Sequence, residues 1–247
     1  MTKHVFRFFA EPASTAATAT RWTLAPEDAH HALKVLRLPA GEAIEATDGR
    51  GTLVYGGLTP TGKESAEILV TQTTTVARHS IGLELALGAL KPGDLDEVIP
   101  GLVELGMDRI AIFIAEQTGK NRLAEKAISR WQRIIETAVK QSKRLWLPEL
   151  VTFDSLEGWL QQLPDNEVQT RWIFTEIAGN PTGKTPTNNS KTMIGLVGSE
   201  CGFSEAETRS AMARGFQPVS LGPHVLRART AAISAATMLT MAGHGGG

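Results

Sequence analysis

Cysteine is almost missing from this chain of 247 residues: Cys201 stands alone. No intrachain disulfide framework is possible, and a reducing compartment fits best. Long apolar runs are missing as well. The purest, Ile110 to Ala115, is far too short to span a bilayer. The opening Met1-Thr2-Lys3-His4-Val5-Phe6-Arg7 holds no apolar stretch of signal-peptide length, so the expectation is a cytoplasmic protein with no membrane partner. Net charge is close to absent, −1 at neutral pH, which gives no global pull toward nucleic acid. The six histidines (His4, His30, His31, His79, His224, His244) lack ligand spacing with Cys, Asp or Glu, so no metal site is expected. Neither G-x-G-x-x-G nor G-x-x-x-x-G-K-[ST] follows a candidate strand, and a nicotinamide or P-loop nucleotide reading loses its main support. No Ser/His/Asp set is recognisable, although such triads need not be local.

What is present is ordinary globular material, 42% hydrophobic and 21% charged, in a length that suits one large domain or two unequal ones. Up to residue 78 the pattern is β-rich, with alternating runs at Val5–Phe9, Glu42–Thr47, Gly51–Leu58 and Ser65–Thr75 between Gly, Pro and Asp-Gly turn signals. One helix interrupts them, with Pro26 near its start and Ala29, Leu33 and Leu36 on its apolar face. Such spacing predicts a small β-barrel over 1–78. From 79 to 247 strands and helices alternate. Strands are expected at Ile81–Leu90, Arg109–Ala115, Trp172–Thr175, Met193–Val197 and Pro218–Ser220. Helices are expected at Asp94–Leu105, Leu123–Ser142, Ser204–Ala213 and Leu226–Met241. That order predicts an α/β domain with a mainly parallel sheet covered by helices. The stretch 179–190 reads as a mobile Gly/Pro/Thr/Asn loop, and the tail after Met241 as frayed.

Two glycine-bearing loops, Gly198-Ser199-Glu200-Cys201-Gly202 and Leu221-Gly222-Pro223-His224-Val225-Leu226-Arg227, each follow a buried strand and precede a helix. Backbone N–H groups and helix starts there are open to a polar ligand. Glu200 suits a ligand hydrogen bond or, more simply, a cap. Cys201 has no base near it in sequence and reads as a small buried residue rather than a nucleophile. Arg227 and Arg229 flank the start of the last helix, where cations oppose the helix dipole by a few tenths of a kcal/mol each. An anionic or electron-rich partner would account for them, and so would plain exposure to water. Between Gly119 and Glu149, eight cations (Lys120, Arg122, Lys126, Arg130, Arg133, Lys140, Lys143, Arg144) face three carboxylates. Lys126, Arg130, Arg133, Lys140 and Arg144 recur at helical spacing on one face, with Leu123, Ala127, Ile134 and Ala138 on another. The cationic face is either a solvated surface or a phosphate-contacting stripe.

Taken together, Arg7-Phe8-Phe9, His30 with Val35-Leu36-Arg37, Asp48-Gly49, and Lys91 followed by Glu104-Leu105-Gly106 form an ordered series. It continues with Trp131-Gln132-Arg133-Ile134, Gln141-Ser142 with Arg144, Pro148-Glu149, the Gly198 loop with Phe203-Ser204, and Leu221-Gly222-Pro223 through Leu226-Arg227 and Thr230-Ala231. In order and spacing the chain resembles the RsmE family, the small-subunit ribosomal RNA uridine-N3 methyltransferases of the SPOUT superfamily. The resemblance implies a PUA-like barrel that helps hold RNA, then an α/β domain with a deep trefoil knot, helices on both sheet faces, and a homodimer. It implies S-adenosylmethionine as cofactor and, as substrate, a uridine of 16S ribosomal RNA in the small ribosomal subunit. On that footing Arg227 and Glu200 are the expected catalytic residues. Thr175, Leu196, Gly198, Glu200, Gly202, Leu221, Gly222, Val225, Leu226 and Thr230 are expected to hold the cofactor. Arg7, His30, Arg37, Lys126, Arg130, Arg133 and Arg144 are expected to contact RNA.

Two features depart from the family pattern. Ser199 and Cys201 stand in a loop that in the family usually runs Gly-Pro-Glu-Gly-Gly, and Arg229 stands where the family commonly has Glu. These departures motivate an alternative, a non-catalytic RNA-binding or ribosome-assembly factor on a degenerate methyltransferase fold. A second alternative is a nucleotide-dependent oxidoreductase on an ordinary doubly wound sheet, against which the missing phosphate fingerprint counts.

Overall fold

The computed structural model describes residues 5–14, 20–118, 123–164, 169–176 and 191–244. Lys120, Arg122 and the 179–190 loop lie outside the described residues. Two compact units result: one joins the chain up to Arg78 with Val139–Leu147, and the other joins His79–Ala138 with the chain from Pro148 onward.

The first unit is a closed barrel of β1 (Arg7–Pro12), β2 (Arg21–Leu24), β3 (Ala43–Thr47), β4 (Thr52–Pro60) and β5 (Ala66–Thr75), in the order β1-β2-β5-β4-β3. Closure comes from β1 lying parallel to β3, Phe8 opposite Ala46. Period-two alternation turns Phe8, Ala10, Trp22, Leu24, Ile44, Ala46, Val54 and Ile68 inward. Each large aliphatic or aromatic side chain buried there contributes roughly 1.5–3 kcal/mol. Strand β2 goes beyond the sequence expectation. Its four residues carry little signal alone and are fixed by pairing with both β1 and β5. Helix α1 (Pro26–His30) has proline in its first turn and runs on into one π-helical turn, His31–Val35. Asp28 is buried, accepts the Phe9 amide at 2.6 Å and forms an ion pair with Lys140.

The second unit is a six-stranded sheet of β6 (Gly82–Gly88), β7 (Arg109–Phe113), β8 (Glu149–Phe153), β9 (Gln169–Phe174), β10 (Thr192–Val197) and β11 (Gln217–Val219). Its order is β11-β9-β10-β6-β7-β8, and every pairing is parallel. The helices are α2 (Pro92–Glu104), α3 (Glu125–Gln141), α4 (Leu156–Leu160), α5 (Glu205–Ala213) and α6 (Ala228–His244). Helix α6 packs on β10, β6 and α2, while α4 packs on α5, β7 and β8. With both faces covered, the central strands are buried nearly end to end, which is why they read as continuous apolar runs. Strand β8 and helix α4 exceed the expectation. Glu149-Leu150-Val151-Thr152-Phe153 becomes a strand by adding to β7, and Ser155 caps α4 through the Gly158 amide at 3.0 Å. On α3 the buried face is Trp131, Ile135, Ala138 and Val139; of the expected line Leu123, Ala127, Ile134 and Ala138, only Ala138 is buried.

Near the amino ends of the strands a carboxylate sits inside the protein. Glu84 accepts the Trp159 indole N–H at 3.0 Å and lies 3.5 Å from Arg109, which also pairs with Glu149 at 3.1 Å. Burial pushes the Glu84 carboxyl above the ordinary carboxylate range, while Arg109 and the Trp159 hydrogen bond pull it partly back. A raised folded-state pKa means stability that is full below the unfolded value and is lost as pH rises through the folded one. Glu84→Gln is therefore expected to gain melting temperature relative to the parent as pH rises above about 4. Thermal denaturation at a series of pH values checks this, and a difference that shrinks with rising pH would contradict it.

Candidate active site

Parallel strands deliver their carboxyl ends to one edge, and ligands of open α/β sheets bind there where the strand order reverses. In this sheet β6 leads outward to β7 and β8, whereas β9, β10 and β11 lie on the other side, so the reversal falls at the β6/β10 junction. Val197, Phe174 and Val219 sit at one level, so that Gly198, Thr175 and Ser220 leave the sheet together. The two glycine loops are separated by β9, an offset of roughly 10 Å from two inter-strand spacings. Thr175 lies between them, its amide donating to the Val219 carbonyl at 3.2 Å.

The Gly198 loop is a tight turn. The Gly202 amide donates to the Ser199 carbonyl at 2.9 Å, and the buried Ser199 hydroxyl accepts the Cys201 amide at 3.3 Å. Gly202 has φ +74° and Gly222 φ +133°, and neither has an atom within 4 Å of the place a Cβ would occupy. Bare backbone at a positive φ, facing open space, is what the edge of an adenosyl group needs for close approach. Half-buried Leu221 and Leu226 supply apolar surface beside it. The residues present therefore fit S-adenosylmethionine. Leu196 lies in the core and offers only its backbone, and Val225 is 73% exposed. Thr230 is exposed on the first turn of α6. Cys201, expected to be buried, is exposed.

Glu200 does not cap the helix that follows it; that is done by Ser204 and Glu207 in a reciprocal capping box. Instead Glu200 Oε1 accepts the amide of Lys91, the residue before α2, at 3.3 Å. Arg227 is exposed, its carbonyl takes the Ala231 amide at 2.9 Å to open α6, and its side chain has no ion-pair partner among the described residues. Arg229 differs. Its partners are Asp94, at 3.3 Å, and Glu97, both on α2, so neither an external anion nor plain exposure to water accounts for it.

A cavity of about 550 Å³ opens elsewhere on the same edge, lined by Ile114–Glu116, Asp154–Glu157, Ala206, Glu207 and Ser210. It shares no residue with the two glycine loops. Its lining carries four carboxylates and no cation, and two of the four hold the fold. Glu207 accepts the amides of Glu116 and Ser204, each at 2.9 Å, and Glu116 accepts the Ser204 hydroxyl at 2.6 Å. Such a lining repels phosphate.

The expected RNA contacts divide by environment. Arg7 is 7% exposed and clasps Glu45 at 2.7 and 2.9 Å, so its guanidinium is occupied inside the barrel. His30 is exposed, 3.6 Å from Glu64, and Arg37 is exposed in a left-handed conformation, φ +52°. On α3, Lys126 and Arg133 are exposed, Arg144 is half-buried, and Arg130 pairs with Asp96 at 2.7 Å. Among the described residues no group of three or more His, Cys, Asp or Glu could hold a metal ion, and no helix is long and apolar enough to cross a membrane. Asp94 and Glu97 on α2, which meet Arg229, are contacts that sequence reasoning had no cause to expect. In the sequence Asp94 looks like an ordinary favourable charge in a helix's first turn.

A model of the RNA methyltransferase domain matches residues 77–240, and one of the RNA methyltransferase PUA domain matches residues 24–71. The chain belongs to this RNA methyltransferase family, as the likeness to the RsmE group implied. It is 28% identical to the ribosomal RNA small subunit methyltransferase E of Synechocystis sp., over 85% of this chain and 69% of that protein. With the Bacillus subtilis protein of the same name it shares 24% identity, over 90% of each. The crystal structure of the Neisseria gonorrhoeae enzyme bound to S-adenosylmethionine superposes with TM-score 0.80 at 27% identity, covering 95% of this chain and 96% of that one. A Legionella pneumophila protein in complex with the same cofactor gives 0.80 at 25%, covering 96% and 97%. The fold is thus SPOUT-type: a PUA-like barrel followed by a parallel sheet with helices on both faces.

Proposed function

We propose that this chain is an S-adenosylmethionine-dependent methyltransferase acting on N3 of a uridine in 16S ribosomal RNA of the small subunit. The observation that carries the reading is the pair of bare-backbone turns at Gly202 and Gly222, with exposed Arg227 at the end of the second loop, at the carboxyl edge of the sheet. When bound, the cofactor would supply a methyl group activated by its sulfonium, with the neutral thioether as leaving group. Backbone groups of Gly198, Gly202, Leu221 and Gly222 hold the adenosyl part, and Leu221 and Leu226 keep water from it. Uridine N3 carries a proton in its neutral form, and negative charge reaches the flanking carbonyl oxygens as that proton leaves. The Arg227 guanidinium, delocalised and always charged, stabilises that charge. Glu200 orients the loop through the Lys91 amide. Its second oxygen has no partner among the described residues and accepts the N3 proton, a role that typically contributes about 10²–10⁴-fold.

The barrel, with His30 and Arg37, and the α3 cations Lys126, Arg133 and Arg144 contact RNA phosphates. The protein acts as a homodimer in the cytoplasm, where its ribosomal substrate is. Exposed Val225 and Met241 are apolar positions that a second copy would cover. To test the reading, purified protein, methyl-labelled cofactor and small subunits from cells lacking this protein are combined, and nucleosides are resolved by mass spectrometry. N3-methyluridine is expected. Label on another atom or base overturns the assignment, and failure to bind even millimolar cofactor favours the non-catalytic RNA-binding alternative.

A further inference from the structure

We infer that Arg229 is a positioning residue for methyl transfer, tying the start of α6, and with it Arg227, to the first turns of α2. This rests on the function proposed above. Arg229 is the second residue of a helix whose dipole disfavours a cation there. Its guanidinium reaches Asp94 and Glu97 on α2, and Asp94 lies in the first turn of that helix, where a carboxylate is favoured. The same end of α2 holds the other loop, because the Lys91 amide, one residue before the helix, binds Glu200. One helix start thus anchors both halves of the site, the Gly198 turn through a backbone amide and the Arg227 segment through an ion-pair cluster. Arg229 is 42% exposed and Glu97 66% exposed, and ion pairs at that exposure contribute little to global stability. What the cluster supplies is geometry. Arg227 carries no ion pair of its own among the described residues, so the direction of its backbone at the helix start decides where its guanidinium stands.

The experiment compares Arg229→Glu, Arg229→Lys and the charge exchange Arg229→Glu with Glu97→Arg against the parent. Single-turnover rate, calorimetric affinity for S-adenosylmethionine, melting temperature and amide hydrogen exchange over residues 226–231 are measured on each. Misplacing a reacting group by about 1 Å costs on the order of 10²-fold, so Arg229→Glu is expected to slow transfer by about that factor. Its cofactor affinity stays within about threefold and its melting temperature nearly unchanged. Exchange at the first turn of α6 rises. Arg229→Lys retains part of the rate, and the charge exchange restores most of both rate and protection. A parental rate with unchanged exchange in Arg229→Glu overturns the inference. So does a slow rate that merely follows a fallen melting temperature and is not recovered by the exchange. If the parent protein itself transfers no methyl group, the proposed function fails while the hydrogen-exchange arm still decides whether Arg229 fixes this segment.

Discussion

Arg227→Ala is expected to slow single-turnover methyl transfer by about 10²–10³-fold, the usual loss when one preorganised donor to a developing oxyanion is removed. The argument is electrostatic. Among the described residues the Arg227 side chain is exposed and has no carboxylate partner, unlike Arg7, Arg109, Arg130 and Arg229, each of which meets one. Its charge is unspent. Affinity for the cofactor is expected to stay within about threefold, because the proposed adenosyl contacts are backbone and leucine side chains rather than a cation. Arg227→Lys keeps the charge but loses the planar fork, so it recovers the rate only in part. Quench-flow with saturating cofactor and small subunits measures all three proteins. Wild-type rates in Arg227→Ala would remove this residue from the mechanism.

Gly88→Ala carries the second large effect. A Cβ on Gly88 would lie 2.4 Å from the Ser199 nitrogen and 3.0 Å from the Gly198 carbonyl carbon, both backbone atoms held by the turn. Neither can swing aside as a side-chain tip would, so the last residue of β6 and the cofactor loop must part. Overpacking of this kind costs about 1–3 kcal/mol, which for a chain of this size lowers the melting temperature by roughly 2–4 °C per kcal/mol. Displacing Ser199 disturbs the hydroxyl that ties the turn, and affinity for S-adenosylmethionine is expected to fall by at least about tenfold, about 1.4 kcal/mol. Gly93→Ala is the control. It lies in the first turn of α2 with nothing within 4 Å of the added methyl, and should leave affinity unchanged with stability equal or slightly higher. Calorimetry and thermal melts on the two variants decide the matter. Equal affinity in Gly88→Ala and Gly93→Ala would mean that the Gly198 turn has room the structure denies it.

The sheet was legible because its strands are buried on both faces: Leu83–Leu87, Ile110–Phe113 and Met193–Val197 announce themselves as apolar runs. The barrel strands with good alternation were legible too, to within two or three residues at their ends. Arg21–Leu24 and Glu149–Phe153 were not, since each is short and becomes a strand only by pairing with partners elsewhere in the chain. The two site loops could be placed, because a glycine between a buried strand and a helix start is a local signal. What holds them could not. The contacts of Lys91 with Glu200 and of Arg229 with Asp94 and Glu97 join residues more than a hundred positions apart. The cationic stripe on α3 shows the same limit. Spacing placed Lys126, Arg130, Arg133, Lys140 and Arg144 on one face, yet only tertiary structure reveals that Arg130 and Lys140 are committed to Asp96 and Asp28.

Hydrogen exchange with and without saturating S-adenosylmethionine locates the cofactor most directly. Protection is expected over residues 196–202 and 220–230, with residues 114–116, 154–157 and 206–210 around the acidic cavity unchanged. Protection confined to the cavity segments, with both glycine turns exchanging as in the free protein, would contradict the site described here.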